Sequence, residues 1–212
     1  MTSAPEQLFT NCSRCGICAG SRLQAPPMLY LGDINAPILV IAQNPGWIAD
    51  NDSFRLASGR AMLKLSGLEG DDAIIGAAQK AWYEADFTTS HAYGAIESIC
   101  GKDWLNSGRY LYTNAVRCRT NGNETSSKEM KTSCATWTRM LLDRPSVKGV
   151  IFIGRLAVEQ VLGNDADKLQ PMALKKQTKT GLLLLAIPHY SRWTGTDEGE
   201  ATMMVKRLVE AI

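Results

Sequence analysis

Pro37-Ile38-Leu39-Val40-Ile41-Ala42-Gln43-Asn44-Pro45-Gly46 is the stretch on which the fold turns. Its first half is a continuous apolar run, where a strand with one wet face would alternate, so it reads as a strand covered on both faces. Val150-Ile151-Phe152-Ile153 and Leu182 to Ile187 have the same character, and Tyr110-Leu111-Tyr112-Thr113 is β-rich and half polar. Helical segments separate these runs. Ala61 to Leu68 is one, and Ser126 with Glu129 three residues on makes a capping box that opens another through about Leu142. Arg155 to Leu162 is closed by Gly163, and Asp197 with Glu200 opens the last. There Ala201, Met204, Val205, Leu208, Val209 and Ile212 recur on one stripe. The order β-α-insert-β-α-β-α-β-α reads as an α/β fold, a three-layer α/β/α sandwich on a short central parallel sheet.

Residues 69–109 break that rhythm and carry the aromatics Trp82, Tyr83, Phe87, Tyr93 and Trp104. This aromatic-rich insert reads either as a helical elaboration with its own small core or as the wall or lid of a binding pocket. With 212 residues and 45% hydrophobic content, a single domain over 1–212 can bury a core without disulfides. Lys and Arg number 23 against 21 Asp and Glu, a net charge of +2, which excludes a general nucleic-acid coat protein and leaves DNA contacts to local patches. No apolar run approaches the ~20 residues of a membrane span, and Met1 to Leu8 has no signal-like pattern. A cytoplasmic protein is expected. Six cysteines in such a setting point to metal ligation or reduced thiols. Cys12, Cys15 and Cys18 share one segment, Cys100 stands alone, and fifteen residues separate Cys118 from Cys134.

Parallel sheets place ligands at the carboxyl ends of their strands. The loops there hold the Gln43-Asn44 pair before a Pro-Gly turn, then Thr113-Asn114 with Arg117-Cys118-Arg119 beyond, and Pro188-His189-Tyr190-Ser191-Arg192-Trp193. One amide-bearing turn, one Asn and one His are expected to converge on one rim. Read alone, Asn44 also suits an Asx-type turn and His189 a structural role.

Together these residues resemble the uracil-DNA glycosylase superfamily, most closely its family 4 of iron–sulfur type, over roughly 9–67 and 109–195. Cys12-Ser13-Arg14-Cys15 followed by Arg22, and Tyr112-Thr113-Asn114-Ala115-Val116-Arg117-Cys118-Arg119 followed by Cys134, are similar to that family's two cysteine pairs and its Thr-Asn segment. The Gly154 unit after Ile153 is similar too. The resemblance implies a structural 4Fe–4S cluster on Cys12, Cys15, Cys118 and Cys134, with zinc or inert thiols as the alternatives. Cys18 and Cys100 have no counterpart.

Family 4 carries a Glu in its catalytic loop, whereas this chain has Gln43-Asn44-Pro45-Gly46, like the mismatch-specific and single-strand-selective branches. The resemblance therefore assigns water positioning to Asn44, with Gln43 second, and donation to the base O2 to His189. Asn114 would read the pyrimidine edge and Phe54 would stack on the flipped base. Arg192 and Trp193 would wedge into the duplex. Lys175, Lys176, Lys179 and Arg119 are candidate phosphate contacts, although a solvated lysine loop explains the lysines equally well.

Gly46 stands where the uracil-specific branch places a blocking Tyr, and Ala49 is small, so the C5 side of the pocket is expected to be open. A monomeric, monofunctional DNA glycosylase for a flipped, C5-modified pyrimidine, such as a glucosylated hydroxymethylcytosine of phage DNA, is thus preferred, with a role in antiviral defence. Uracil excision in base-excision repair is the alternative. A catalytically weak iron–sulfur DNA-binding protein is the rival from another class.

Overall fold

The computed structural model describes residues 28–46, 51–66, 72–119 and 127–212. Its elements are β1 (Leu31–Gly32), β2 (Ile38–Ala42), α1 (Ser53–Ser66), α2 (Asp72–Thr88), α3 (His91–Cys100), β3 (Tyr110–Asn114), α4 (Lys128–Leu142), β4 (Gly149–Ile153), α5 (Arg155–Leu162), β5 (Leu174–Lys176), β6 (Leu183–Ile187) and α6 (Gly195–Glu210). The strands form one sheet in the order β1-β3-β2-β4-β6-β5. Its centre, β3-β2-β4-β6, is parallel as expected. The sheet as a whole is mixed, because the short edge strands β1 and β5 run antiparallel to β3 and β6. Neither edge strand is long or apolar enough to stand out in the sequence.

Every residue of β2 is buried, since each of its faces meets a different layer. Val40 and Ala42 join Ile151, Ile153, Leu185 and Ile187 in a cluster with residues of α2, α3 and α6. Leu39 and Ile41 join Val150, Phe152 and Leu184 in a second cluster with residues of α4 and α5. Full burial of such side chains is worth ~1.5–3 kcal/mol each, so these two stripes set the three-layer arrangement.

The described residues of the insert share the core of the sheet. Tyr83, Phe87, Ile96, Ile99 and Trp104 pack with Val40, Tyr110 and Tyr112 in the same cluster as the sheet. Phe87 stacks on Tyr112 at 4.4 Å between ring centres, and Trp104 meets Tyr110 and Tyr112 edge-on.

Two helix starts differ from expectation. Ser127, one residue past Ser126, caps α4 by accepting from the Met130 amide. Thr194 caps α6 in a reciprocal box with Asp197, three residues before the expected start, because Asp197 serves as the box's acid rather than as the cap. Among the described residues, no helix is long and apolar enough to cross a membrane.

Register then positions the site. Ala42 pairs with Asn114, and Ile153 with Ile187, so the parallel strands end level with one another. The residues that follow them meet on one rim.

Candidate active site

Beyond the level strand ends lies a cleft of about 340 Å³. Gln43, Asn44 and Gly46 line it from the loop after β2, Asn114 from the tip of β3, and His189 and Tyr190 from the loop after β6. The opposite wall is the insert, which contributes Tyr83, Asp86, Phe87, Thr89, Ser90 and His91. The helical insert therefore forms one wall of the cleft.

The loop after β2 is held at its root. The carbonyls of Ala42 and Gln43 accept from the amides of Ala115 and Val116 at 2.7 and 2.9 Å, which continues the β2–β3 pairing beyond the strands. The Gln43 side chain lies over Gly154, where an added Cβ would stand 2.4 Å from its Nε2. Gly154 also has φ +88°, so only glycine fits without strain. Asn44 is half-buried, and its Nδ2 donates to the Pro45 carbonyl at 3.3 Å.

Asn114 is 1% exposed. Its Oδ1 accepts from the Tyr112 hydroxyl at 3.3 Å and its Nδ2 points to Met28 Sδ at 3.5 Å. Burial pushes the Tyr112 hydroxyl far above its ordinary pKa, so it stays protonated and donates. That bond fixes which way the amide faces.

His189 is oriented by its own loop. The Ser191 amide donates to Nδ1 at 3.3 Å and Ser191 Oγ lies 2.8 Å from the same nitrogen. A lone pair at Nδ1 places the ring proton on Nε2. Burial, and secondarily the Arg192 charge, lower the His189 pKa from 6.5, which favours the neutral ring. The side chain is therefore a neutral N–H donor.

The insert brings a carboxylate that the sequence did not single out. Asp86 bridges two arginines, with Oδ2 2.7 Å from Arg119 Nη2 and Oδ1 2.7 Å from Arg55 Nε. Arg119 also donates to the Gly46 carbonyl and stands over the Tyr83 ring. An acid embedded among Trp82, Tyr83 and Phe87 was the one available signal for Asp86.

Several candidates are placed differently from expectation. Phe54 is 81% exposed at the start of α1 and is not brought to the cleft, whose aromatic lining includes Tyr83, Phe87, Tyr112 and Tyr190. Arg119, 3% exposed and committed to Asp86 and Gly46, is not a surface phosphate contact. Trp193 is half-buried, with Nε1 donating to the Pro188 carbonyl at 2.8 Å, so its ring belongs to the loop's own packing. Arg192 is exposed beside His189. Lys175 and Lys176 pair with Leu184 and Leu183 on antiparallel β5, which carries them and Lys179 toward the opposite end of the sheet. Distance from the rim removes those lysines from the site.

Cys118 and Cys134 are buried together with Val116 and Met130 in one small cluster. Cys12, Cys15 and Ala49 lie outside the described residues. Among the described residues no three His, Cys, Asp or Glu side chains gather as a metal site.

Level strand ends thus bring an oriented amide, a loop amide and an imidazole to one cleft. A sequence model of the uracil DNA glycosylase superfamily matches residues 29–210, and the chain belongs to that superfamily. Membership implies DNA glycosylase activity, the hydrolysis of N-glycosyl bonds in DNA. The curated proteins give no match.

Proposed function

We propose that this protein is a monofunctional DNA glycosylase that excises a flipped pyrimidine carrying a C5 substituent, in defence against DNA with modified bases. The observation that carries the reading is the convergence of Asn44, Asn114 and His189 on one cleft. Asn114, with Oδ1 accepting from Tyr112 and Nδ2 directed to Met28, keeps one lone pair and one N–H for the base edge, and Phe87 and Tyr112 offer an aromatic surface. Asn44 holds a water against C1′. As the glycosidic bond breaks, its electron pair leaves with the base, and the Nε2–H of His189 donates to O2, where negative charge accumulates. The water oxygen bonds to C1′ and its proton passes to solvent, leaving an abasic site. An amide activates water only by orienting it, which suffices for a transition state already rich in oxocarbenium character.

An open C5 side is supported by Gly46, where an added Cβ would meet nothing within 4 Å. Thr89, Ser90 and His91 give the facing wall hydrogen-bonding groups suited to a hydroxylated substituent. The protein is proposed to act as a monomer on cytoplasmic DNA. Single-turnover rates on oligonucleotides with hydrogen, methyl, hydroxymethyl and glycosylated hydroxymethyl at C5 test the reading. They should hold or rise along the series. A closed pocket reverses the order, since a methyl forced into a packed site costs ~1–3 kcal/mol. Activity on uracil alone assigns the protein to base-excision repair, and binding without abasic sites assigns it to DNA recognition.

We further propose that Cys12, Cys15, Cys118 and Cys134 hold a 4Fe–4S cluster, with zinc as the alternative. Support comes from the shared burial of Cys118 and Cys134 and from a buried guanidinium, Arg117, beside them. The group supplies a covalent tie between two distant segments, and the hydrolysis takes place on the chain's own residues.

A further inference from the structure

Arg117 is wholly buried, yet among the described residues it forms no ion pair. Its Nη1 donates to the Cys134 carbonyl at 3.2 Å and to Thr138 Oγ1 at 3.3 Å, both neutral acceptors. Its Nε and Nη2 are buried without a hydrogen-bond partner. Arg119, two residues on and equally buried, shows the ordinary solution, an ion pair with Asp86. A guanidinium stays charged at any working pH, and two neutral acceptors do not offset the loss of its hydration. An anion must therefore face it.

The surroundings say which anion. Arg117 precedes Cys118 in the chain and bonds the backbone of Cys134, and these two cysteines share one buried cluster. Four thiolates around a zinc ion or a cubane cluster carry a net charge of about −2. We propose that Arg117 is the internal counter-charge of an anionic thiolate–metal centre built on Cys118 and Cys134. The assignment rests on the proposed metal centre and makes Arg117 a positioning residue, since it acts through the centre and not on DNA. It also gives Arg117 and Arg119 opposite duties. One faces the cysteines, and the other ties Gly46 to the insert.

The experiment measures metal release from the intact protein, purified without air, into excess chelator, for wild type, Arg117→Lys and Arg117→Gln. Lys keeps the charge and loses the fork; Gln keeps an N–H donor and loses the charge. Release should be at least ~10-fold faster from the Gln variant, the scale on which groups behind a metal's ligands act, and near wild type from Lys. A Gln variant that is insoluble while Lys folds with metal reads the same way. Equal release from all three, or loss of metal from Lys as fast as from Gln, overturns the counter-charge and leaves the metal centre standing. Wild-type protein that holds no metal overturns both. Zinc in place of iron, with the same order of release rates, sustains the counter-charge and removes only the cluster.

Discussion

Arg119 Nη2 lies 2.7 Å from Asp86 Oδ2, an ion pair between two buried side chains of the β3 loop and of α2. Because Arg119 also donates to the Gly46 carbonyl, one guanidinium joins the segment after Cys118, the Pro-Gly loop of the site and the wall opposite. The insert is thereby part of the site's frame.

Removing one side of that pair leaves the other as an uncompensated buried charge, which costs ~3–5 kcal/mol. Asp86→Ala should lose stability on that scale in urea unfolding, while Asp86→Ala with Arg119→Met should cost clearly less than the two single changes summed. A single-variant loss below ~1 kcal/mol would show that water reaches the pair.

Asn44→Ala and His189→Ala should each slow base release by at least ~10²-fold in single-turnover assays, the effect of losing one positioned transition-state contact. Phe54→Ala, on an exposed residue, should change the rate little, whereas Phe87→Ala should weaken substrate capture. A large effect at Phe54 with none at Phe87 would mean that α1 swings over the base.

Titration of His189 followed by NMR should give a midpoint below 6.5, because burial and Arg192 both oppose the charged ring. Arg192→Ala should raise it only part of the way, since burial is the larger cause. The sign for stability follows. A depressed folded-state pKa means that the unfolded chain takes up the proton first, so this residue's contribution is present at neutral pH and declines as pH falls below 6.5. A midpoint at or above 6.5 would contradict the neutral-donor role.

Among the described residues no lysine lines the cleft, and none of them places an amine to attack C1′. Product strands should remain intact until alkali or heat is applied. A covalent adduct trapped with borohydride would refute the monofunctional mechanism.

Anaerobically purified protein should be brown, with iron and sulfide in equal amounts, and Cys118→Ser should lose both along with solubility. Cys100→Ser should keep them. Burial pushes the Cys100 thiol up to about 12, and its hydrogen-bond partner is Tyr110, on β3. Zinc without iron would replace the cluster by a zinc site.

The sequence by itself determined the parallel centre of the sheet, because continuous apolar runs such as Ile38 to Ile41 have no stable place except between two helical layers. It also pointed to Asn44, Asn114 and His189, since strand ends and their loops are local features and parallel register brings them level. Only the tertiary structure decided the rest. The edge strands Leu31–Gly32 and Leu174–Lys176 are too short to show a period and exist by pairing with β3 and β6. Whether Lys175 lies near the rim depends on the direction of β5, and whether Phe54 faces the cleft depends on how α1 is turned, neither of which is written in local composition. Asp86 and Arg119 are 33 residues apart in the chain. Their charges meet only because packing of the insert on Tyr112 brings α2 against the strand ends. A buried ion pair is a property of that packing, invisible until the chain is folded.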